Sequence, residues 1–192
     1  MNKNILLDRL PQFTNNGLRI RTDFRESIKF ELLMQDKNIN EKDKIMQALK
    51  LYYYDLDKIK DIKQAIEDLL WFYRSGKDIR IQENNNEGKE EKTKQIYSYE
   101  FDDEYIYSAF MEQYKIDLNS IKYLHWWKFK ALFNSLNENT HFVKIMWYRA
   151  MNLSKIKDKD MKANYKRLQK TYALPDMRSE DEKEADFANE LW

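Results

Sequence analysis

Two histidines, His125 and His141, and the carboxylate run Asp102, Asp103 and Glu104 are the residues from which catalysis or metal binding would have to be built. Imidazole exchanges protons near neutral pH, and adjacent carboxylates offer oxygen ligands to a hard divalent cation. The spacing supports neither chemistry. The histidines lie 16 residues apart, with no acids at the intervals that metal sites use. His125 sits between Leu124 and Trp126 on a crowded apolar stretch and reads as a hydrogen-bonded packing residue. His141 follows a helix-capping residue and reads as exposed. The three carboxylates stand where a helix begins, and there they complement free backbone amides and the helix dipole. With 3 Gly in the whole chain there is little material for a phosphate-cradling loop, and no nucleophile elbow is present. The absence of cysteine excludes disulfides, thiolate ligands and cysteine nucleophiles. A chain with no catalytic residues, no metal and no cofactor is expected.

The other chemistry on offer is recognition by aromatic rings. Trp126 and Trp127 are neighbours on a helix, so their side chains diverge by about 100°. One is expected to fill the core; the other has to cover a second lobe, fill a groove or stay exposed as an anchor for a partner. Tyr52, Tyr53 and Tyr54 pose the same problem at a helix end, where three consecutive rings cannot all be inside. Near the end of the sequence, Ser179 and Glu182 have capping-box spacing, and Ala185, Phe187, Ala188, Leu191 and Trp192 supply the apolar positions of a short helix. Such a segment could fold into a groove on a partner or on another copy of the chain. Tyr53, Tyr54, Trp126, Trp127, Phe187, Leu191 and Trp192 are therefore the candidate partner-binding residues.

These side chains must be positioned by helices, because 3 Gly, 2 Pro and 35% charged residues are too few turn formers and too much charge for a sheet protein. The fold expected is mainly α: a compact multi-helix domain of about seven helices with a small N-terminal β-hairpin or extended arm. The arm turns at Asn15–Gly17. The first helix starts at Thr22 or Asp23, with Asp23 and Glu26 as a capping box and Phe24, Ile28, Leu32 and Leu33 facing inward. Asn40 opens a second, with Ile45, Leu49 and Tyr52 or Tyr53 inside. A third spans about 57–74 on Ile59, Ile62, Ile66, Leu69, Leu70 and Tyr73, and Gly76 follows as a left-handed cap. Asp102 and Asp103 precede a helix reaching about Lys115. Asn119 or Ser120 caps the next, carrying Ile121, Leu124, Trp127 or the stem of Lys128, Ala131 and Leu132, and Asn139 or Thr140 caps another with Phe142, Ile145, Met146 and Arg149 in line. The last runs from about Asp158 to Tyr172 on Met161, Tyr165, Leu168 and Tyr172, and Pro175 stops it. The expected organisation is an N-terminal hairpin and helical lobe at 1–76, a flexible loop or linker at 77–95, a C-terminal helical lobe at 96–175 packed on the first, and an acidic tail at 176–192.

Charge is uneven beneath a net value of +1. Residues 176–192 carry seven acids and two bases, net −5, which leaves +6 on the rest. Those bases alternate with acids as on a solvated helix face, so nucleic acid is not an expected partner. No apolar run is long enough to span a bilayer, and MNKNILLDRLPQF lacks the apolar segment of a signal peptide. A soluble, unprocessed protein is expected.

The segments LLDRLPQF at Leu6–Phe13, RIRTDFRESIKFE at Arg19–Glu31, and FDDEYIYSAFMEQYKIDLNSIKYLHWWKFKALFNSLNENT at Phe101–Thr140 have the look of a family signature. Together they resemble the bacteriophage gene-product-fifteen family across most of residues 5–175, with a gap near 77–95. The resemblance implies a small protein encoded in the tail module just ahead of the tape-measure gene, supplies no catalytic residues, and points to a tail-assembly chaperone that binds the tape-measure protein in the host bacterial cytoplasm. It leaves open self-association, a structural tail or connector subunit of the virion, and, more remotely, a nucleic-acid-binding regulatory protein.

Overall fold

The computed structural model describes residues 3–77 and 95–176. Within them lie seven α-helices: α1 (Phe24–Gln35), α2 (Glu41–Tyr52), α3 (Ile62–Tyr73), α4 (Asp103–Tyr114), α5 (Trp126–Asn134), α6 (His141–Ala150) and α7 (Lys159–Thr171). No strand forms among the described residues, so the fold is mainly helical. The expected loop at 77–95, apart from its two end residues, and the tail beyond Asp176 lie outside the described residues.

Side-chain caps set most helix starts. Asn40 accepts from the Asp43 amide, Asp61 from Gln64, Thr140 from Val143 and Asp158 from Met161, each satisfying an amide that the helix cannot. Asp23 caps α1 but accepts from Arg25, while Glu26 turns outward to Lys29, so the expected capping box does not close. A separate 3₁₀ turn at Leu56–Lys58 precedes α3, which therefore begins later than the apolar spacing suggests. Ile45 and Ile62 come out exposed because the inward stripes of α2 and α3 are shifted by about one residue, and Met161 because α7 buries no residue. In α3 that stripe is Ala65, Asp68, Leu69 and Phe72.

The N-terminal segment settles as an arm. Its turn closes through the Thr14 amide donating to Leu18 O at 2.8 Å, with Gly17 at φ 76, a conformation open to glycine without a Cβ penalty. Beyond one bridge, Phe13 to Arg19, the ribbon does not propagate; Ile20 pairs instead with Tyr53 at the end of α2. The Asn15 and Asn16 side-chain amides donate to the Asp68 carboxylate on α3, pinning the turn against the helices.

One apolar cluster joins residues on both sides of position 95, from Ile20, Phe24 and Phe30 through Tyr52, Leu69 and Phe72 to Phe110, Phe129 and Phe142. Rings dominate it. Phe129 stacks on Phe24 at 4.8 Å, Phe110 at 5.1 Å and Trp126 at 5.6 Å between centroids, geometries that add about 0.5–1.5 kcal/mol per pair beyond burial. α7 lies outside this core, with no buried residue, packed on α6.

Candidate partner-binding surface

The centre of the molecule is a joint between two helix starts. Residues 22–24 and 124–126 run antiparallel: the Phe24 amide donates to Leu124 O at 2.9 Å, the Trp126 amide to Thr22 O at 2.8 Å, and the Leu124 amide to Asp23 Oδ2 at 3.1 Å. This pairing holds the chain extended through residue 125, so α5 starts at Trp126 and not at Asn119 or Ser120. Those two residues instead donate their amides to Asp117 Oδ1, closing a turn. His125 is the cap of α5. Its Nδ1 accepts from the Trp127 amide at 3.1 Å, which leaves Nε2 to carry the proton toward Pro11 O at 3.1 Å. Burial pushes the pKa of this imidazole down, and the neutral form is the one that caps.

The joint aims both tryptophans inward. Trp126 Nε1 donates to Tyr73 O at 2.8 Å and Trp127 Nε1 to Phe72 O at 2.7 Å, satisfying consecutive carbonyls at the end of α3. Lys130 Nζ adds a bond to Tyr73 O and lies over the Tyr73 and Trp126 rings. Exposures of 2% for both tryptophans and 1% for Tyr53 remove these three residues from the candidate partner surface. The diverging side chains fit inside because the core wraps both sides of α5: Trp126 stacks on Tyr73, and Trp127 meets Phe72 and Trp71. Tyr53 is held by its hydroxyl, which donates to Ala65 O. Tyr54 is 47% exposed, with the Arg19 and Arg21 guanidinium groups over its ring at 4.7 and 4.5 Å. Phe187, Leu191 and Trp192 lie outside the described residues.

The carboxylates also part company. Asp102 gives its side chain not to the helix but to Arg149, through bonds of 2.6 and 2.8 Å, and takes the Ser98 amide as well. Arg149 further donates to Ile96 O and Tyr172 O, so one buried ion pair ties α4, α6 and the end of α7. No group of three or more metal-ligating side chains stands together among the described residues. A second set of titratable groups bridges α1, α3 and α5. The Tyr73 hydroxyl donates to Glu31 at 2.6 Å beside Lys130. Burial chiefly raises the Glu31 pKa and lowers that of Lys130, and pushes Tyr97 up to about 12. These bonds hold helices together, and neither Glu31 nor Lys130 lines the groove described next.

That groove, of about 760 Å³, opens between α1, α4 and the turn at 117–119. Ile28, Ile106, Tyr99 and Phe129 form its apolar floor, and Asp103, Glu104, Asp117 and Tyr107 its rim. Arg25 braces the turn by donating to Leu118 O and Ile121 O at 2.8 Å each. Bonds from Ser120, then from the Asn119 amide and Tyr107, hold Asp117 below the usual carboxylate range, so the rim is anionic at neutral pH. No sequence motif marks the groove, because its walls come from segments far apart in the chain. A second exposed apolar feature is the start of the arm, where Leu6 is 88% and Leu7 83% exposed.

The sequence profile of a family described as Bacteriophage Gp15 protein matches residues 6–174 of this 192-residue chain, from the arm through all seven helices. The chain belongs to that family. A search of curated proteins and a search of solved structures each return no match. In this phage protein no helix among the described residues is long and apolar enough to cross a membrane.

Proposed function

We propose that this phage protein is a non-enzymatic tail-assembly factor, a chaperone that binds the tape-measure protein in the host bacterial cytoplasm before the tail is complete. The observation that carries the reading is the groove between α1 and α4: an apolar floor under an anionic rim, open while the large aromatic anchors are consumed inside the fold. Such a groove takes the apolar face of an amphipathic helix whose flanks carry lysine or arginine. A tape-measure chain is long and rich in amphipathic helix, and it needs its apolar faces covered until assembly. Family membership supports the phage setting.

The test is co-expression with the tape-measure protein, followed by co-purification. A stable complex, and more soluble tape-measure protein than without the partner, is expected. Unchanged solubility with no complex refutes the reading. Detection of the protein in purified virions by mass spectrometry would reassign it to a structural subunit.

A further inference from the structure

The arm begins with a turn that holds apolar side chains out in water. The Leu7 and Asp8 amides donate to Asn4 O at 3.2 and 2.8 Å, the Leu6 amide to Asn4 Oδ1 at 2.9 Å, and the Asn4 amide to Asp8 Oδ2 at 2.7 Å. These bonds spend the polar groups of the turn on itself. What it presents is Ile5, Leu6 and Leu7, exposed by 42, 88 and 83%, with Lys3 and Arg9 exposed on either side. Three consecutive apolar residues exposed on an ordered turn serve no purpose in folding and mark a contact surface. The turn is also tied at both ends. The Lys3 amide donates to Gly76 O at 3.4 Å, His125 Nε2 donates to Pro11 O at 3.1 Å, and Leu10 packs on the core.

The same molecule carries the counterpart. The groove between α1 and α4 has an apolar floor with Asp103, Glu104 and Asp117 at its rim, and among the described residues no lysine or arginine lines it. An apolar tip flanked by two cations complements that combination in both shape and charge. No residue of the arm lines the groove of its own chain, and a turn tied at both ends is not free to swing into it. The occupant that the structure itself supplies is the turn of a second copy.

We propose that the turn at 4–8 of one copy seats in the groove between α1 and α4 of another. The two surfaces differ, so the contact is heterologous: each copy offers one turn and one groove, and association runs head to tail into a ring or an open chain. The groove stays covered between copies until a basic amphipathic helix displaces the turn. This rests on the reading of the groove as a docking surface and adds its resting occupant.

Sedimentation of the full chain from about 10 µM to 1 mM tests it, because a contact this small is weak. The mean mass of wild type should rise with concentration, and less steeply at high salt. Leu6→Ser/Leu7→Ser and Tyr107→Ala/Glu104→Lys should each stay monomeric, having lost opposite halves of the contact. Mixed, they should form a dimer and nothing larger, since one intact groove and one intact turn remain. Should the groove variant unfold, Asp103→Asn/Glu104→Gln removes rim charge at constant shape and takes its place. Wild type that is monomeric throughout overturns the proposal, as does association that persists in either variant, or a mixture that forms no dimer. Monomeric wild type that sediments with anionic vesicles through its leucines overturns it too, because the turn then serves a lipid surface. Co-purification separates this proposal from the chaperone reading. Leu6→Ser/Leu7→Ser should bring down at least as much tape-measure protein as wild type, and a loss of complex there overturns the proposal by making the tape-measure protein the partner of the turn. Head-to-tail association with no tape-measure complex sustains it and sinks the chaperone reading alone.

Discussion

Gly76 and Trp127 offer a test in which two destabilising changes should partly cancel. Gly76 follows α3 at φ 67, and a Cβ built there would come to 2.7 Å from Trp127 Cη2. Alanine at this position therefore bears two penalties: about 1–2 kcal/mol for a left-handed L-residue and about 1–3 kcal/mol for the clash with a packed ring. Trp127→Phe removes the indole bond to Phe72 O, which still accepts from the Ser75 amide at 2.9 Å, a loss of about 0.5–1.5 kcal/mol, and loses part of the ring contact with Trp71. Phenylalanine does not reach the position of Cη2. In the Trp127→Phe background, Gly76→Ala should thus retain its backbone penalty and the lesser contact with Lys3 Cβ at 3.2 Å but not the ring clash, so the double variant is more stable than the sum of the singles by about 1–3 kcal/mol. Urea unfolding of the four proteins measures this coupling directly, well above the scatter of about 0.5 kcal/mol expected for independent sites. Simple additivity would show that Trp127 does not press on the α3 terminus and would refute the packing described for both tryptophans.

Arg149→Met should destabilise by about 3–5 kcal/mol, because Asp102 is then buried without its counter-ion, and Asp102→Leu/Arg149→Met should recover most of that loss in the same unfolding assay. His125 has its pKa lowered by burial, so its contribution is full above the unfolded value near 6.5 and is lost as pH falls through the folded value. Relative to His125→Asn, which keeps a capping oxygen, wild type should lose up to about 1.4 kcal/mol per pH unit on going from pH 7.5 toward 5. Glu31 acts in the opposite sense. Its raised pKa means a contribution present below about 4.5 and lost as pH rises through the folded value, so Glu31→Gln should gain on wild type as pH rises from 4.5 toward 7. Tyr54→Ala, at an exposed ring, should change stability by less than about 1 kcal/mol.

Helix number and most capping residues could be read from the chain because both are local. Asn40, Thr140 and Asp158 cap the helices expected of them, and the apolar stripe of α6 falls where Phe142 and Ile145 place it. Failures came where a distant segment outbid local pattern. Ile121 and Leu124 have helical spacing with Ala131, yet the antiparallel pairing with residues 22–24 keeps that stretch extended, and His125 becomes a cap because Pro11 takes its other nitrogen. Asp102 looked like a cap until Arg149, 47 positions away, claimed it. For the second of Trp126 and Trp127 the spacing left a second packing surface, a groove and an exposed anchor all open, because it cannot show whether a core lies on more than one side of their helix. The packing of α3 against α5 supplies a second side, and the carbonyls of Phe72 and Tyr73 make both indoles structural. The groove was invisible for the same reason: Ile28, Tyr107 and Asp117 become neighbours only once α1, α4 and the turn after α4 are assembled.

The most direct measurement of the account is recovery of the tape-measure protein with Tyr107→Ala/Glu104→Lys, which strips the groove rim of a ring and reverses one charge at exposed positions. Co-expressed and purified beside wild type, this variant should stay folded, losing no more than about 1–2 kcal/mol of stability with its first-turn carboxylate and the Tyr107 bond to Asp117, and retain less than about a tenth of the complex, the equivalent of about 1.4 kcal/mol or more of binding. Wild-type recovery of the complex with an intact fold would contradict it and move the partner to another surface.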